Sequence, residues 1–280
     1  VTLSTATYRA AGAIALNESG DSVVAWEQNR GSTHTRDVRA AIRTVTGRFT
    51  SPRIIGPTYA YPNVKLSLSA KRDATISWFT QATGEGAVGG PMDVYFATLK
   101  ANGGLIPAVH VDHQKGDIWS DGWAIEHAQI RMVPESDGRQ LILWTGWDGT
   151  KMAVYSRLTT SSETVRVSPV GVNALLVDAA TEPGGGVVAA WITGQHGSDG
   201  DGTDPTIGAA LSADAGVTWA APEVVASGAA MNVSGVGEAT ALITGGKAVV
   251  FWGTDGNPYN SPLDPAPIRW SSSPMPIGGE

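Results

Sequence analysis

Five short apolar runs along the chain each end on a tryptophan: "DSVVAW" at Trp26, "DATISW" at Trp78, "RQLILW" at Trp144, "GVVAAW" at Trp191 and "KAVVFW" at Trp252. A shorter stretch alternating apolar and polar residues precedes each run, and turn residues join the two, as in "AIALNESGD", "LSLSAKRD" and "ATALITGG". Side chains alternate between the two faces of a strand, so period-two alternation followed by Gly, Asn, Asp or Pro predicts a hairpin. After each tryptophan comes a loop and then a third run: "RDVRAAIRT", "MDVYFATLK", "KMAVYSRLT", "TIGAALSAD" and "APIRWSSS". A fourth run follows in four of the units; "FTSPRIIG" and "WAAPEVVA" match place for place, "LIPAVHV" and "TVRVSPV" more loosely. No stretch holds apolar residues at helical spacing for three turns, and Gly and Pro interrupt every candidate, so helices are not expected.

Four strands repeated at tryptophan spacings of 52, 66, 47 and 61 residues describe a β-propeller blade. The expected fold is all-β: one domain over residues 1–280, a five-bladed β-propeller of four-stranded antiparallel blades at about 10–57, 58–112, 127–170, 171–228 and 232–280. The longest gap is too short for an additional blade, and a long loop near 111–127 accounts for it. The fifth unit stops after "IRWSSSPMPIGGE" without a fourth strand, while residues 1–8 precede the first complete unit as a lone strand. We expect this N-terminal strand to complete the last blade, so that the ring has no open edge. An open solenoid would instead need a cap at each end, and none is visible.

Composition narrows the function classes. Nineteen basic against 26 acidic residues give a net charge of −7, which argues against a nucleic-acid surface and leaves sugars, cations and neutral ligands open. No basic amphipathic stretch occurs, nor an apolar segment of transmembrane length, so no membrane insertion is expected. The absence of cysteine excludes disulfides and thiolate chemistry. A chain beginning at Val1 rather than Met is expected of a processed or trimmed product. With a cysteine-free, Gly-, Ser/Thr- and Trp-rich composition this fits an exported bacterial protein, secreted or extracytoplasmic.

The stretch "SADAGVTW", residues 212–219, lies between the third and fourth runs of the fourth unit. Ser212, Asp214, Gly216, Thr218 and Trp219 resemble the Asp-box (BNR-type) repeat of sialidase-like propellers, with every fixed place filled. The resemblance implies a fold-stabilising hairpin away from any catalytic face. Asp214 can accept turn N–H groups, Gly216 permits a positive φ and Trp219 can cover the hairpin. The five recurrent tryptophans occupy one place per unit and are expected in the core.

Function is therefore sought in the loops. "VDHQKGDIWSDGWAIEHA" brings His113, Asp117, Trp119, Asp121 and Trp123 together, and Trp119 and Trp123 stand outside the repeated tryptophan place. Loop aromatics beside carboxylates suit sugars, the rings stacking on C–H faces while acids accept hydroxyl hydrogen bonds. A long loop pinned to the body by its own tryptophans is the competing account. Tyr59 and Tyr61 in "GPTYAYPN", and His34 and His196 in second-to-third-strand loops, extend the candidate ligand-binding set. His34, His113 and His196 could share a rim, although nothing in their spacing demands a metal. "HGSDGDGTDP" offers Asp199, Asp201 and Asp204 as Ca2+ ligands without the closing Glu of the twelve-residue calcium loop, and a solvated Gly/Asp turn is the simpler reading. His127, with Glu126 or Glu238, supplies an acid/base pair near the start of innermost strands, where side chains can face a central channel.

Two enzyme templates fit poorly. The arginine triad of sialidases would have to begin at Arg9, and no second and third arginine occur at equivalent blade starts. Five-bladed arabinanases and fructosidases place an acid where the first blade here reads "YRAAGAIA"; Glu126 fits only the third of their roles. The expected function is lectin-like binding of a carbohydrate or similar polar ligand at the loop rim. A glycan-active hydrolase or lyase is the alternative, and a protein-interaction scaffold the third reading.

Overall fold

The computed structural model describes residues 12–29, 35–59, 64–81, 92–113, 130–134, 139–182, 184–193, 206–227, 239–253 and 268–275. Every regular element among them is a strand, and neighbouring strands pair antiparallel. Among the described residues no helix is long and apolar enough to cross a membrane. The chain divides into two compact units, residues 1–134 and 135–280.

The first unit holds two four-stranded sheets, each running in chain order. One is built from β1 (Gly12–Leu16), β2 (Ser22–Asn29), β3 (Thr35–Arg43) and β4 (Arg53–Tyr59); the other from β5 (Lys65–Leu68), β6 (Ala74–Gln81), β7 (Met92–Leu99) and β8 (Leu105–His113). A further strand, β9 (Ile130–Pro134), ends the unit. Val23, Ala25, Val38, Ala40 and Ile42 of the first sheet pack with Leu68, Ile76, Trp78, Ala97 and Leu99 of the second in one apolar cluster. Trp78 is buried there and donates its indole N–H to the carbonyl of Pro57, 3.2 Å away. A core Trp of this kind is worth about 3–5 kcal/mol by comparison with alanine.

An acid placed just before the second strand ties each of these sheets at its far turn. Asp21 Oδ1 accepts the backbone N–H of Val45 at 2.9 Å, and Asp73 Oδ1 that of Ala101 at 3.2 Å. Val45 and Ala101 each stand two residues past the end of their third strand. The opening Asp of "DSVVAW" and "DATISW" thus repeats for a structural reason: it satisfies turn donors that the ladder leaves unpaired.

In the second unit β10 (Gln140–Trp147), β11 (Met152–Leu158) and β12 (Val165–Arg166) run antiparallel in order. β13 (Ala174–Thr181), β14 (Val187–Thr193), β15 (Thr206–Ser212) and β16 (Glu223–Ser227) form a four-stranded sheet, and β17 (Ala239–Thr244), β18 (Lys247–Gly253) and β19 (Ile268–Pro274) a three-stranded one. All five recurrent tryptophans are buried, as expected of core residues.

The turn over 212–219 is closed by its own side chains. Ser212 Oγ accepts the N–H of Gly216 at 2.8 Å and donates to Asp214 Oδ1 at 2.8 Å. Thr218 donates its backbone N–H to Asp214 Oδ1 at 2.8 Å and its hydroxyl to Oδ2 at 2.6 Å. Burial pushes the Asp214 carboxyl up, but the hydrogen bonds from Thr218 and Ser212 outweigh it and hold the group below its ordinary value.

A β-bulge recurs at one register. Val38 faces Gly56 while Arg39 faces Ile54, so Ile55 is an extra residue in β4. Val111 is the extra residue in β8, between Val94–Asp112 and Tyr95–His110, and Val225 in β16, between Ile207–Ala226 and Gly208–Val224. At this register each bulged strand carries one residue more than its partner, which shifts the alternation of its side chains; β8 has a second irregularity nearer its start, between the pairs Phe96–Val109 and Thr98–Ile106.

Candidate functional site

His110 and His113 stand three apart on β8. A regular strand would send them to opposite faces. The extra residue Val111 between them cancels that offset, so both project on one face, His113 opposite Asp93 and His110 opposite Tyr95. Both rings close on a single carboxylate oxygen: Asp93 Oδ1 lies 3.0 Å from His110 Nε2 and 2.7 Å from His113 Nδ1. Asp93 is buried, whereas the histidine side chains are 46% and 43% exposed. The cluster therefore has a fixed anionic floor and two imidazoles that reach solvent.

An aromatic column backs it. Trp78 and Tyr95 stack with centroids 5.8 Å apart and planes at 18°; Tyr95 meets His110 at 5.0 Å, and His110 meets His113 at 6.3 Å. Burial pushes the Tyr95 phenol above its ordinary pKa, and the neighbouring Asp93 charge adds to the effect. β6 ends at Gln81, β7 begins at Met92 and β8 ends at His113. The cluster thus marks the end of the sheet from which segments 82–91 and 114–129 depart.

Register-matched positions elsewhere carry different chemistry. In the first sheet Asp37 takes the place of Asp93, Arg39 that of Tyr95, Pro57 that of His113 and Ile54 that of His110. Asp37 meets Arg39 at 3.5 Å, while on the opposite face buried Glu27 accepts a 2.7 Å hydrogen bond from Arg36. Burial pushes the Glu27 carboxyl up, against the opposing pull of Arg36. The sheet of β13–β16 has Thr206, Gly208, Ser227 and Val224 at the matched places. On β11, Tyr155 stacks on Trp144 at 5.9 Å and pairs with Arg166, whose guanidinium donates to Asp148 at 2.7 Å. That hydrogen bond, with those from Lys151 and Thr150, outweighs burial and holds the Asp148 carboxyl well below the usual carboxylate range.

Of the residues singled out from sequence, His113 belongs to this cluster. It was expected in a loop, but β8 extends through His113 because the bulge lets the ladder with β7 continue to the Asp93 pair. Tyr59, also expected in a loop, is the last residue of β4 and pairs with Thr35. His34, Tyr61, Asp117, Trp119, Asp121, Trp123, Glu126, His127, His196, Asp199, Asp201, Asp204 and Glu238 lie outside the described residues. Sequence reasoning missed Asp93, Tyr95 and His110. The shared Asp-Val of "RDVRAAIRT" and "MDVYFATLK" was the available signal for the acid.

No family model matches the sequence, and no curated protein matches it. Among solved structures the chain is similar to a NanB sialidase mutant from Streptococcus pneumoniae, at 8% identity and a TM-score of 0.50, over 90% of this chain and 57% of that one. It is also similar to the GH93 α-L-arabinofuranosidase of Fusarium graminearum in complex with arabinobiose, at 10% identity and a TM-score of 0.50, over 95% and 82%. The chain thus spans a little over half the length of the sialidase. At such identities the likeness is one of fold: an all-β chain of antiparallel four-stranded sheets whose structural neighbours are propellers.

Proposed function

We propose that residues 1–280 form a single five-bladed propeller, the strand at 1–8 pairing with the edge of β19, and that this propeller binds a carbohydrate or similar polar ligand at its loop rim as a secreted, lectin-like protein. The Asp93–His110–His113 cluster carries the reading. Exposed imidazole rings and a half-buried phenol beside a fixed carboxylate offer flat faces for sugar C–H surfaces and polar atoms for hydroxyls. Tyr59, Tyr61, His34, His196, Asp117, Trp119, Asp121 and Trp123 would extend this surface, and Asp199, Asp201 and Asp204 are the residues a Ca2+ requirement would involve. The Ser212–Trp219 turn is read as an Asp-box that holds the fold and takes no part in binding. In support, similar folds include a sialidase and an arabinofuranosidase crystallised with arabinobiose. A glycan array run with and without chelator tests the proposal. We expect binding to a subset of glycans, weakened by His113→Ala; silence across the array overturns it.

The same neighbours favour one second reading, a glycan-active hydrolase or lyase with His127 and Glu126 or Glu238 as the acid/base pair. Replacing His127 with Ala should then abolish turnover while leaving the thermal midpoint in place. Turnover at the normal rate in that variant removes this assignment.

A further inference from the structure

We propose that Asp93, His110 and His113 form a binding site for a divalent transition metal of the Zn2+ class, with three protein ligands and a fourth coordination position open to solvent. The inference does not depend on whether the rim binds sugar.

Geometry is the first support. One nitrogen from each ring and one carboxylate oxygen lie within 4.8 Å of one another. Tetrahedral coordination with bonds of about 2.0–2.2 Å separates its ligand atoms by roughly 3.3 Å. Asp93 Oδ1 already lies 3.0 and 2.7 Å from the two nitrogens, so an ion needs these contacts to open by only a few tenths of an ångström. The exposed rings can make that movement without disturbing the core.

The ligand set selects the kind of ion. Two imidazoles and one carboxylate are borderline donors, suited to Zn2+, Ni2+ or Cu2+ and poor for Ca2+ or Mg2+, which prefer oxygen throughout. Without metal, each ring donates an N–H to the carboxylate. With metal, the same nitrogen presents its lone pair, and the ring proton resides on the other nitrogen. Three ligands with one face exposed is the arrangement that leaves room for water or a ligand oxygen on the ion.

Comparison within the chain supports a dedicated site. The bulge recurs in β4, β8 and β16, so it belongs to the repeat. At the matched register the first sheet has Ile54 and Pro57, and the sheet of β13–β16 has Val224 and Ser227, where β8 has His110 and His113. In the first sheet Arg39 lies 3.5 Å from the acid; the second has Tyr95 at that place and directs two imidazoles at its acid instead.

Chelator-stripped protein titrated with Co2+, followed by visible absorption, and with Zn2+, followed by calorimetry, tests the site. We expect one ion per chain, a four-coordinate Co2+ spectrum, and displacement of Co2+ by Zn2+. Losing a supporting group around a metal costs about 10–100-fold in affinity, so losing a ligand in His110→Ala or His113→Ala should cost at least about 100-fold, with the far-ultraviolet spectrum unchanged. His113→Gln, closer in size, covers the case that alanine disturbs the strand end. A variant carrying both His34→Ala and His196→Ala should bind as the parent does. Absence of binding by the parent, retention of full affinity in His110→Ala or in both His113 variants, or loss of binding in the double variant overturns the proposal.

Discussion

Trp219 donates its indole N–H to the hydroxyl of Ser156 at 3.0 Å, across 63 residues of sequence. The turn after β15 is thereby tied to β11, and the Ser156 hydroxyl, on a fully buried residue, gains its partner. Trp219→Phe keeps a smaller aromatic ring and removes the donor, leaving that hydroxyl unpaired at a cost of about 1–3 kcal/mol. Ser156→Ala added to it removes the stranded group. The double variant should be more stable than Trp219→Phe alone, as measured by denaturant midpoints. A double variant that loses the sum of the two single effects would show that the hydrogen bond contributes nothing.

Gly216 and Gly103 share a positive φ, +82° and +83°, and differ in their surroundings. A Cβ at Gly216 would fall 2.6 Å from Leu141 Cδ2, whereas one at Gly103 meets nothing within 4 Å. Gly103→Ala should cost only the left-handed backbone penalty of about 1–2 kcal/mol. Gly216→Ala should cost about 1–3 kcal/mol more, from overpacking against Leu141. Equal thermal shifts for the two would remove Leu141 as a cause.

Asp148 should make acid stability depend on Arg166. Its folded pKa is depressed, so the stability it contributes is present above the unfolded value of about 3.9 and is lost as pH falls towards the folded one. Wild-type protein should exceed Asp148→Asn in stability at neutral pH, with the difference closing progressively below about pH 4. A difference that stays constant down to strong acid would mean that Asp148 has its ordinary pKa.

Glu27 should behave in the opposite sense. Its folded pKa is raised, so its contribution is full below the unfolded value of about 4.3 and fades as pH rises through the folded value. Glu27→Gln, which can still accept from Arg36, should therefore gain on the wild type as pH rises above about 4.3. Stability curves that diverge the other way would show that Arg36 outweighs burial.

The repeat was legible because each sheet sets its strongest signal, an apolar run ending in Trp, at one place, and burial of those rings forces the spacing. The Asp93 cluster was not. Period-two reading puts His110 and His113 on opposite faces, and only the extra residue Val111 brings them together. A bulge leaves little trace in one sequence, since Ile55, Val111 and Val225 are ordinary strand residues. His113 was found for its place near a loop, and its two partners lay in strands that pattern alone assigns to packing.

The shared bulge makes the cluster transferable. In the first sheet Asp37 already occupies the register of Asp93, with Ile54 and Pro57 opposite Arg39 and Asp37. Ile54 and Pro57 are exposed, so histidine at either place buries no polar atom. Arg39 is the obstacle, since its guanidinium lies 3.5 Å from the acid and would hold it against a cation. Pro57→His keeps the backbone carbonyl that accepts from Trp78, so the packing between the two sheets survives. Combining Arg39→Tyr, Ile54→His and Pro57→His should raise Co2+ stoichiometry from one to two per chain, while Ile54→His with Pro57→His alone should bind the second ion far more weakly. If the triple variant folds as the parent does and still binds a single ion, register and bulge are insufficient, and the affinity at Asp93 must come from something outside these four positions.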